Sequence, residues 1–307
     1  MQRAGLTLLG MSHSLPPLPS SPDLDLEEIG QAATSKLPHV TLLFWVLKIA
    51  ATTLGETGGD MFAQTLQLGY FLTTIALFLV FLVSLVAQMR SKSYQPALYW
   101  AVILTTSMAG TTISDFMNRD ASAQYLSSGT SLGWGPQGLG LGYPVGAAIL
   151  SAMLLATFAV WRATGHPFSL KKITSFRAEL LFWTAILISN TLGTSMGDFL
   201  SDSSGLGYAG GALLIASLLA VIAALKFVPR VSNVALFWAA FVLTRPLGAT
   251  VGDFFTKPTV KGGLGLGTYG ASAVLLAVLV SGIVWLTVKE RRATAALAAS
   301  APEPAAA

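Results

Sequence analysis

Four aspartates recur at one position of an internal repeat, and their type and spacing point most directly to chemistry. Each lies 15 residues after a tryptophan and 5 residues after a glycine of the same repeat. Carboxylates are hard oxygen ligands, so four that met could bind Mn²⁺, Mg²⁺, Ca²⁺, Na⁺ or protons. The sequence predicts that they form a ring around a shared axis. The four residues are Asp60, Asp115, Asp198 and Asp253.

Further polar residues precede the aspartates by four, eight or twelve positions, and this spacing keeps to one face of a helix. They include Glu56, which we expect to be a deeper ligand or proton carrier. Lys48 and Arg245 are expected to gate the site or set its charge. These two positive charges against five acids leave a balance of 2 − 5 = −3, the main argument for cation binding. Four further polar members are grouped with Lys48 and Arg245 as charge-setting or gating residues, namely Thr52, Thr111, Asn190 and Thr194, and Ser107 lies on the same stripe.

The elements that carry these residues are predicted to be membrane-spanning helices. Of 307 residues, 53% are hydrophobic and 10% are charged, against about 25% charged in soluble domains. Eight apolar stretches have the length of about 20 residues that crosses a hydrocarbon layer. They lie near 40–60, 68–89, 96–117, 141–161, 178–200, 206–228, 233–254 and 267–288.

These stretches form four tandem units of two helices each. The units span about 40–92, 96–165, 178–230 and 233–290 within a membrane domain of 39–290. Two crossings per unit give every unit the same orientation, so the repeats are parallel and related by an axis along the membrane normal. The predicted fold is an all-α bundle of eight transmembrane helices, with pseudo-fourfold or pseudo-twofold symmetry. Since polar stripes facing lipid are costly, we expect an inner ring of odd-numbered helices and an outer layer of even-numbered ones.

The Phe/Tyr-Trp start and the Gly-x-x-x-Gly/Ser-Asp end of the odd-numbered helices resemble a known family over about 40–290. It is a family of bacterial integral membrane proteins with four tandem repeats, each with two membrane helices and a characteristic tryptophan. The resemblance implies the architecture and no activity, because that family has no settled biochemical function. We interpret the tryptophans as anchors at the membrane interface.

The basic residues predict the location of the chain. Most of them fall on one side of the predicted membrane, which places both termini in the cytoplasm. With the bacterial origin that the resemblance implies, we expect the membrane to be a bacterial inner (plasma) membrane. The net charge of +4 therefore indicates membrane topology rather than a nucleic-acid partner. Residues 1–38 and 291–307 are predicted to be disordered cytoplasmic tails. The basic residues on this side are Lys36, Arg90, Lys92, Arg162, Lys171, Lys172, Arg177, Lys226, Arg230, Lys289, Arg291 and Arg292.

Two segments between helices have structural interpretations. Gly-Leu-Gly-Leu-Gly occurs at 138–142 and 263–267, and we interpret it as a flexible lead into an apolar helix. The insertion at about 120–139 is predicted to be an unconstrained surface loop, with a lid or partner-binding loop as the alternative. Arg119 and Lys257 follow two of the aspartates, and they are either solvated or paired with the carboxylates, which would reduce the charge deficit.

The function that this pattern favours is transport of a small cation, by a transporter or channel. A divalent metal such as manganese is one candidate, and the partners are the lipid bilayer and the cation. An enzyme and a cofactor are not expected, because the chain has no cysteine and no catalytic or phosphate-binding motif. The alternatives are a non-transporting scaffold or accessory protein and an organic-anion transporter that uses Lys48 and Arg245. The sequence leaves the oligomeric state open.

Overall fold

The described part of the chain folds into eight long helices, as predicted. The computed structural model describes residues 38, 40–91, 93–120, 138–165 and 175–300. A π-helical turn follows α1 at Met61–Thr65 and another follows α5 at Phe199–Ser203. The helices are α1 Leu42–Asp60, α2 Tyr70–Arg90, α3 Pro96–Asn118, α4 Tyr143–Ala163, α5 Phe176–Asp198, α6 Gly207–Leu225, α7 Asn233–Thr256 and α8 Gly267–Ser300.

The last helix extends beyond the predicted carboxyl end of the membrane domain. Helix α8 continues to Ser300, ten residues past the end at 290 that the sequence predicted. Residues 291–300 of the predicted tail are therefore helical. The predicted amino-terminal tail up to residue 37, the insertion at 121–137 and residues 301–307 lie outside the described residues.

Six of the described helices, all but α1 and α3, are long and apolar enough to cross a membrane. They fit a multi-pass membrane protein. The two exceptions belong to the inside of the bundle: α1 carries Lys48, Glu56 and Asp60, and α3 is rich in Ser and Thr. Burial separates the two layers, because 72% of the apolar window of α5 is buried but only 22% of that of α2.

The odd-numbered helices form a closed inner ring, in which α1 and α5 each pack against both α3 and α7. The even-numbered helices lie outside, which confirms the predicted layers. Each one packs mainly on the first helix of the next unit: α2 on α3, α4 on α5, α6 on α7 and α8 on α1. The four hairpins are therefore interlocked, and the last unit closes onto the first.

Glycines set the distance between neighbouring helices of the ring. At each contact a glycine five residues before the aspartate packs against a larger side chain of the next helix, which a Cβ atom would meet at 2.4–3.0 Å. The contact recurs four times, which gives this layer pseudo-fourfold order and brings the polar stripes to the axis. The pairs are Gly55 with Ser107, Gly110 with Asn190, Gly193 with Arg245, and Gly248 with Thr52.

Aromatic side chains close the ring at the end opposite the aspartates. Each tryptophan contacts the aromatic residue that precedes the tryptophan of the neighbouring unit. The centroid distances of this aromatic ring are 5.6 Å for Trp100–Phe44, 5.9 Å for Trp183–Tyr99, 6.0 Å for Trp238–Phe182 and 5.9 Å for Trp45–Phe237. Trp100 and Trp183 have no exposed surface. The interpretation as interface anchors is therefore wrong for these two, which pack in the core.

Replacing Gly193 with alanine tests the close approach of α5 and α7. The new Cβ atom would overlap the side chain of Arg245 and lie 2.9 Å from Cδ of Pro246. Overpacking of this kind costs about 1–3 kcal/mol, so we expect the thermal unfolding midpoint to fall by several degrees in a tryptophan-fluorescence melt. The matched control is Gly270→Ala on α8, where the nearest atom is 3.9 Å away. Equal melting of the two variants would contradict the packing described here.

Candidate functional site

The aspartates lie together at one end of the ring, the acidic end, but as two pairs rather than one fourfold ring. The first pair is Asp60 and Asp253. Lys257, which directly follows α7, places its Nζ atom 3.1 Å from Oδ2 of Asp60 and 3.1 Å from Oδ1 of Asp253. Both carboxylates are buried, and the lysine side chain is 21% exposed. We call this arrangement the lysine clamp.

The second pair, Asp115 and Asp198, is held by an arginine. Nε of Arg119 lies 2.7 Å from Oδ1 of Asp115, and Nη2 lies 2.9 Å from Oδ2 of Asp198. Nη2 is also 3.8 Å from Asp202, which is 34% exposed. We call this arrangement the arginine clamp. In each clamp the basic residue follows one aspartate by four positions and binds the aspartate of another unit.

Backbone pairing fixes the two basic residues. The Gly-Leu-Gly-Leu-Gly segments run back along the ends of α3 and α7, with N–H of Leu139 donating to the Phe116 carbonyl and N–H of Leu264 to that of Phe254, both at 2.7 Å. A Cβ atom at Gly138 would collide with the carbonyl of Arg119, and one at Gly263 with that of Lys257. The interpretation of these segments as flexible is therefore wrong, because they secure Arg119 and Lys257.

The equivalent positions of units one and three hold other residues. Gln64 donates from Nε2 to Oδ1 of Asp60 at 2.6 Å, and Asp202 takes the corresponding place after Asp198. In these two units the π-helical turns replace the extended backbone found at Arg119 and Lys257. The acidic end therefore has pseudo-twofold symmetry, while the glycine and aromatic layers have pseudo-fourfold symmetry.

The clamps correct the charge balance deduced from the sequence. Adding Arg119 and Lys257 to the two cations already counted gives 4 − 5 = −1 instead of −3. Burial would lower the pKa of Lys257, but Asp60 and Asp253 outweigh it and raise that pKa above its ordinary value. Burial would likewise lower the pKa of Arg119, but Asp115 and Asp198 outweigh it and raise that pKa above its ordinary value. Both side chains are charged at neutral pH, so the formal balance of these nine groups is −1.

The side chain of Arg245 crosses the axis of the ring about one helical turn from the aspartates, on the side of the aromatic ring. Its guanidinium extends from α7 toward α3 on the opposite side of the ring, where Nη2 donates to the hydroxyl of Thr111. The same nitrogen lies 3.0 Å from Oε2 of Glu56 on α1. Arg245 has no exposed surface and Glu56 is 2% exposed. The arginine therefore blocks a straight path from the acidic end toward the aromatic ring.

Three of the five predicted cation ligands come together on the α1–α7 side. One carboxylate oxygen each from Glu56, Asp60 and Asp253 lies within 4.8 Å of the others, and all three residues are buried. Hard cations bind oxygens at about 2.0–2.6 Å, so oxygens with this separation can bind one ion together. Gly252 packs against Glu56 and brings α7 close to α1 here. Asp115 and Asp198 lie outside this group and belong to the arginine clamp.

Two other predicted site residues, Thr52 and Thr194, lie between this group and the aromatic ring. The hydroxyl of Thr52 donates to the carbonyl of Lys48 at 2.9 Å and lies 3.2 Å from that of Thr244. The hydroxyl of Thr194 donates to the carbonyl of Asn190 at 3.3 Å. These two threonines therefore use their hydroxyls on backbone groups rather than at the axis.

Comparison with known proteins identifies the family. A family model described as Repeat of Unknown Function (DUF347) matches residues 43–94, 98–166, 181–232 and 236–292, the four units found in the sequence. The chain belongs to this DUF347 repeat family. No curated protein and no solved structure matches it.

In this DUF347 chain the sequence did not decide whether Arg119 and Lys257 are solvated or paired with the aspartates. Both stand four positions after an aspartate in alternate units, and both are followed by a Gly-Leu-Gly-Leu-Gly segment. This shared position and the shared segment are the sequence features that could have indicated a common role for the two residues. Their pairing with an aspartate of another unit depends on the packing of the ring.

Removing the arginine clamp tests its structural role. Arg119→Gln leaves Asp115 and Asp198 buried without a cation, a change that costs about 3–5 kcal/mol at a fully buried pair and less at this partly exposed one. We expect a lower unfolding midpoint in detergent, partly restored by adding Asp198→Asn. The control is Lys226→Gln, at an exposed lysine. Unchanged stability of Arg119→Gln would contradict the clamp.

Proposed function

We propose that this chain is a secondary transporter of a small cation and that Glu56, Asp60 and Asp253 form its binding site. The observation that carries the proposal is the convergence of three buried carboxylate oxygens within 4.8 Å. Buried carboxylates of transmembrane helices mark ion pathways in many membrane proteins. The proposed cargo is a cation that prefers hard oxygen ligands, such as Mn²⁺, Mg²⁺, Ca²⁺ or Na⁺, or a proton.

The lysine clamp supplies a mechanism for this site. Lys257 lies at the exposed end of the carboxylate group, 3.1 Å from two of its members, and acts as a tethered counter-ion while no cargo is bound. An entering cation takes its place beside Asp60 and Asp253, and the ammonium group moves outward. The formal negative balance of these groups favours this exchange over permanent occupation by lysine.

The closed axis favours a transporter over an open channel. Arg245 blocks the path directly below the site, and the aromatic ring closes the far end. A cation can cross only if these two layers rearrange. Transport therefore proceeds by alternating access, with Arg245 as the inner gate.

The scaffold alternative has one specific observation in its favour. All four aspartates form ion pairs with basic residues, so the clamps alone could explain them as packing elements. That reading assigns the same role to the lysine and arginine clamps. The transport proposal assigns the cargo to the lysine side only, and the two readings differ in the outcome of the following experiment.

Replacing Asp253 with asparagine is expected to abolish cation flux. The change removes one of the three carboxylates while keeping the volume of the side chain, so we expect uptake to fall about tenfold or more. Flux is measured with Mn²⁺, Mg²⁺, Ca²⁺, Na⁺ and protons in proteoliposomes that contain the purified chain. Asp60→Asn and Glu56→Gln are expected to behave alike.

The matched control for this flux is Glu290→Gln, on α8 near the aromatic ring, which is expected to transport like the native chain. A native chain that moves none of the five cations would refute the proposal. Unchanged flux in Asp253→Asn would refute the assigned site. The scaffold alternative predicts no flux in the native chain and reduced stability of the Asp253→Asn variant.

Replacing Lys257 with methionine tests the tethered counter-ion. A unit charge 4 Å away contributes about 4 kcal/mol at an effective dielectric constant of about 20. We therefore expect the transported cation to bind about tenfold more tightly or better, as measured by the half-saturating concentration of flux. Weaker binding by Lys257→Met would show that the lysine does not compete with the cargo.

A further inference from the structure

A second polar layer lies between Glu56 and the aromatic ring, at the level of Arg245, and its unpartnered polar atoms are not part of the proposed cation site. It contains one residue from each helix of the inner ring, and none of them has any exposed surface. The residues are Lys48 on α1, Ser107 on α3, Asn190 on α5 and Arg245 on α7. We call this group the inner polar layer.

Most hydrogen-bonding atoms of the inner polar layer have no partner among the described residues. They are Nζ of Lys48, Oγ of Ser107, Nδ2 and Oδ1 of Asn190, and Nε and Nη1 of Arg245. Buried polar atoms are nearly always hydrogen-bonded, so this many in one layer calls for a ligand. Four of the six atoms are N–H donors that cannot accept, which is the donor set of an anion site.

Packing places these atoms around the axis. Nζ of Lys48 lies 4.0 Å from the ring centroid of Phe241, which is one helical turn before Arg245 on α7. The amine therefore lies against α7 one helical turn nearer the aromatic ring than Arg245, whose Nη2 atom reaches Glu56 and Thr111 on the other side. Asn190 packs against Gly110 as Arg245 packs against Gly193, so the two residues occupy equivalent positions of one layer.

The formal charge of this layer also favours an anionic ligand. With Lys48 protonated, Lys48 and Arg245 have two formal positive charges and the carboxylate of Glu56, bound to Arg245, has one negative charge, which gives a formal balance of 2 − 1 = +1. The aspartates lie twelve residues further along α1 at Asp60, about 18 Å away. Water could satisfy the free donors but would leave the charge uncompensated in a buried setting, where an unpaired charge is costly.

We propose that the inner polar layer binds one small inorganic anion of the halide class, held by Lys48, Arg245 and Asn190. The anion neutralises Lys48 and accepts hydrogen bonds from the free N–H groups. Ser107 adds a hydroxyl donor from the fourth helix. The site does not rest on cation transport, since it uses groups that the carboxylate site leaves free.

The test is the thermal unfolding of the purified full chain in detergent, followed by tryptophan fluorescence. The protein is transferred to sodium gluconate and then titrated with sodium chloride or sodium bromide at constant ionic strength. A ligand that binds only the folded state raises the unfolding midpoint and then saturates, here by about 5 °C. We expect this rise in the native chain and in the control Lys226→Met, at an exposed lysine.

Two variants connect the response to the layer. Lys48→Met keeps the aliphatic side chain but removes the charge, and it is expected to lose the halide response. Asn190→Asp supplies a tethered carboxylate in place of the anion, and it is expected to be stable in gluconate and insensitive to halide. Asn190→Asp keeps the proposal testable if Lys48→Met does not fold.

Two outcomes would overturn the proposal. Equal stability of the native chain in gluconate and halide would show that water or a neutral lysine satisfies this layer. A halide response that persists in Lys48→Met or in Asn190→Asp would place the anion elsewhere. Anomalous scattering from bromide-grown crystals would locate the ion directly between Lys48 and Arg245 if the assignment is right.

Discussion

The close approach of the four inner helices is the constraint on which the rest of the structure depends. Glycine at one position of each helix lets the next helix pack within contact distance, and this repeats around the ring. Packing this close leaves the polar stripes no place except the axis. Every charge on those stripes is then buried and requires a partner, because the surrounding helices exclude water.

The charges are compensated in layers of different symmetry. The glycine and aromatic layers repeat four times, since they depend only on residues present in every unit. The acidic end repeats twice, because only units two and four carry a basic residue after the aspartate. Glu56 and Arg245 break even this twofold order. The result is a group of three carboxylates on the α1–α7 side and an arginine clamp on the other, so equivalent aspartates have different partners.

The sequence predicted the architecture because every unit repeats its signals in register. Tryptophan, glycine and aspartate at fixed spacing were enough to give the helix count, the parallel units and the inner ring. The packing of each outer helix on the following unit left no such signal, since apolar helices such as α2 and α6 show no polar stripe that selects a neighbour. The sequence also predicted four converging aspartates, but Arg119 and Lys257 divide them, and which aspartate each one reaches depends on tertiary packing.

Closure of the ring between the first and last units is the central claim, and a cross-link tests it most directly. The hydroxyls of Thr65, after α1, and Thr268, on α8, are exposed and lie 2.8 Å apart. The chain contains no cysteine. A double variant with Thr65→Cys and Thr268→Cys therefore has two thiols, one at each of these positions. A closed ring predicts a disulfide within one chain on mild oxidation in membranes, seen as a shift in gel mobility that reductant reverses. No bond is expected when Thr65→Cys is combined with Ser203→Cys, at the equivalent position across the ring. A bond in that second pair, or none in the first, would contradict the closed ring.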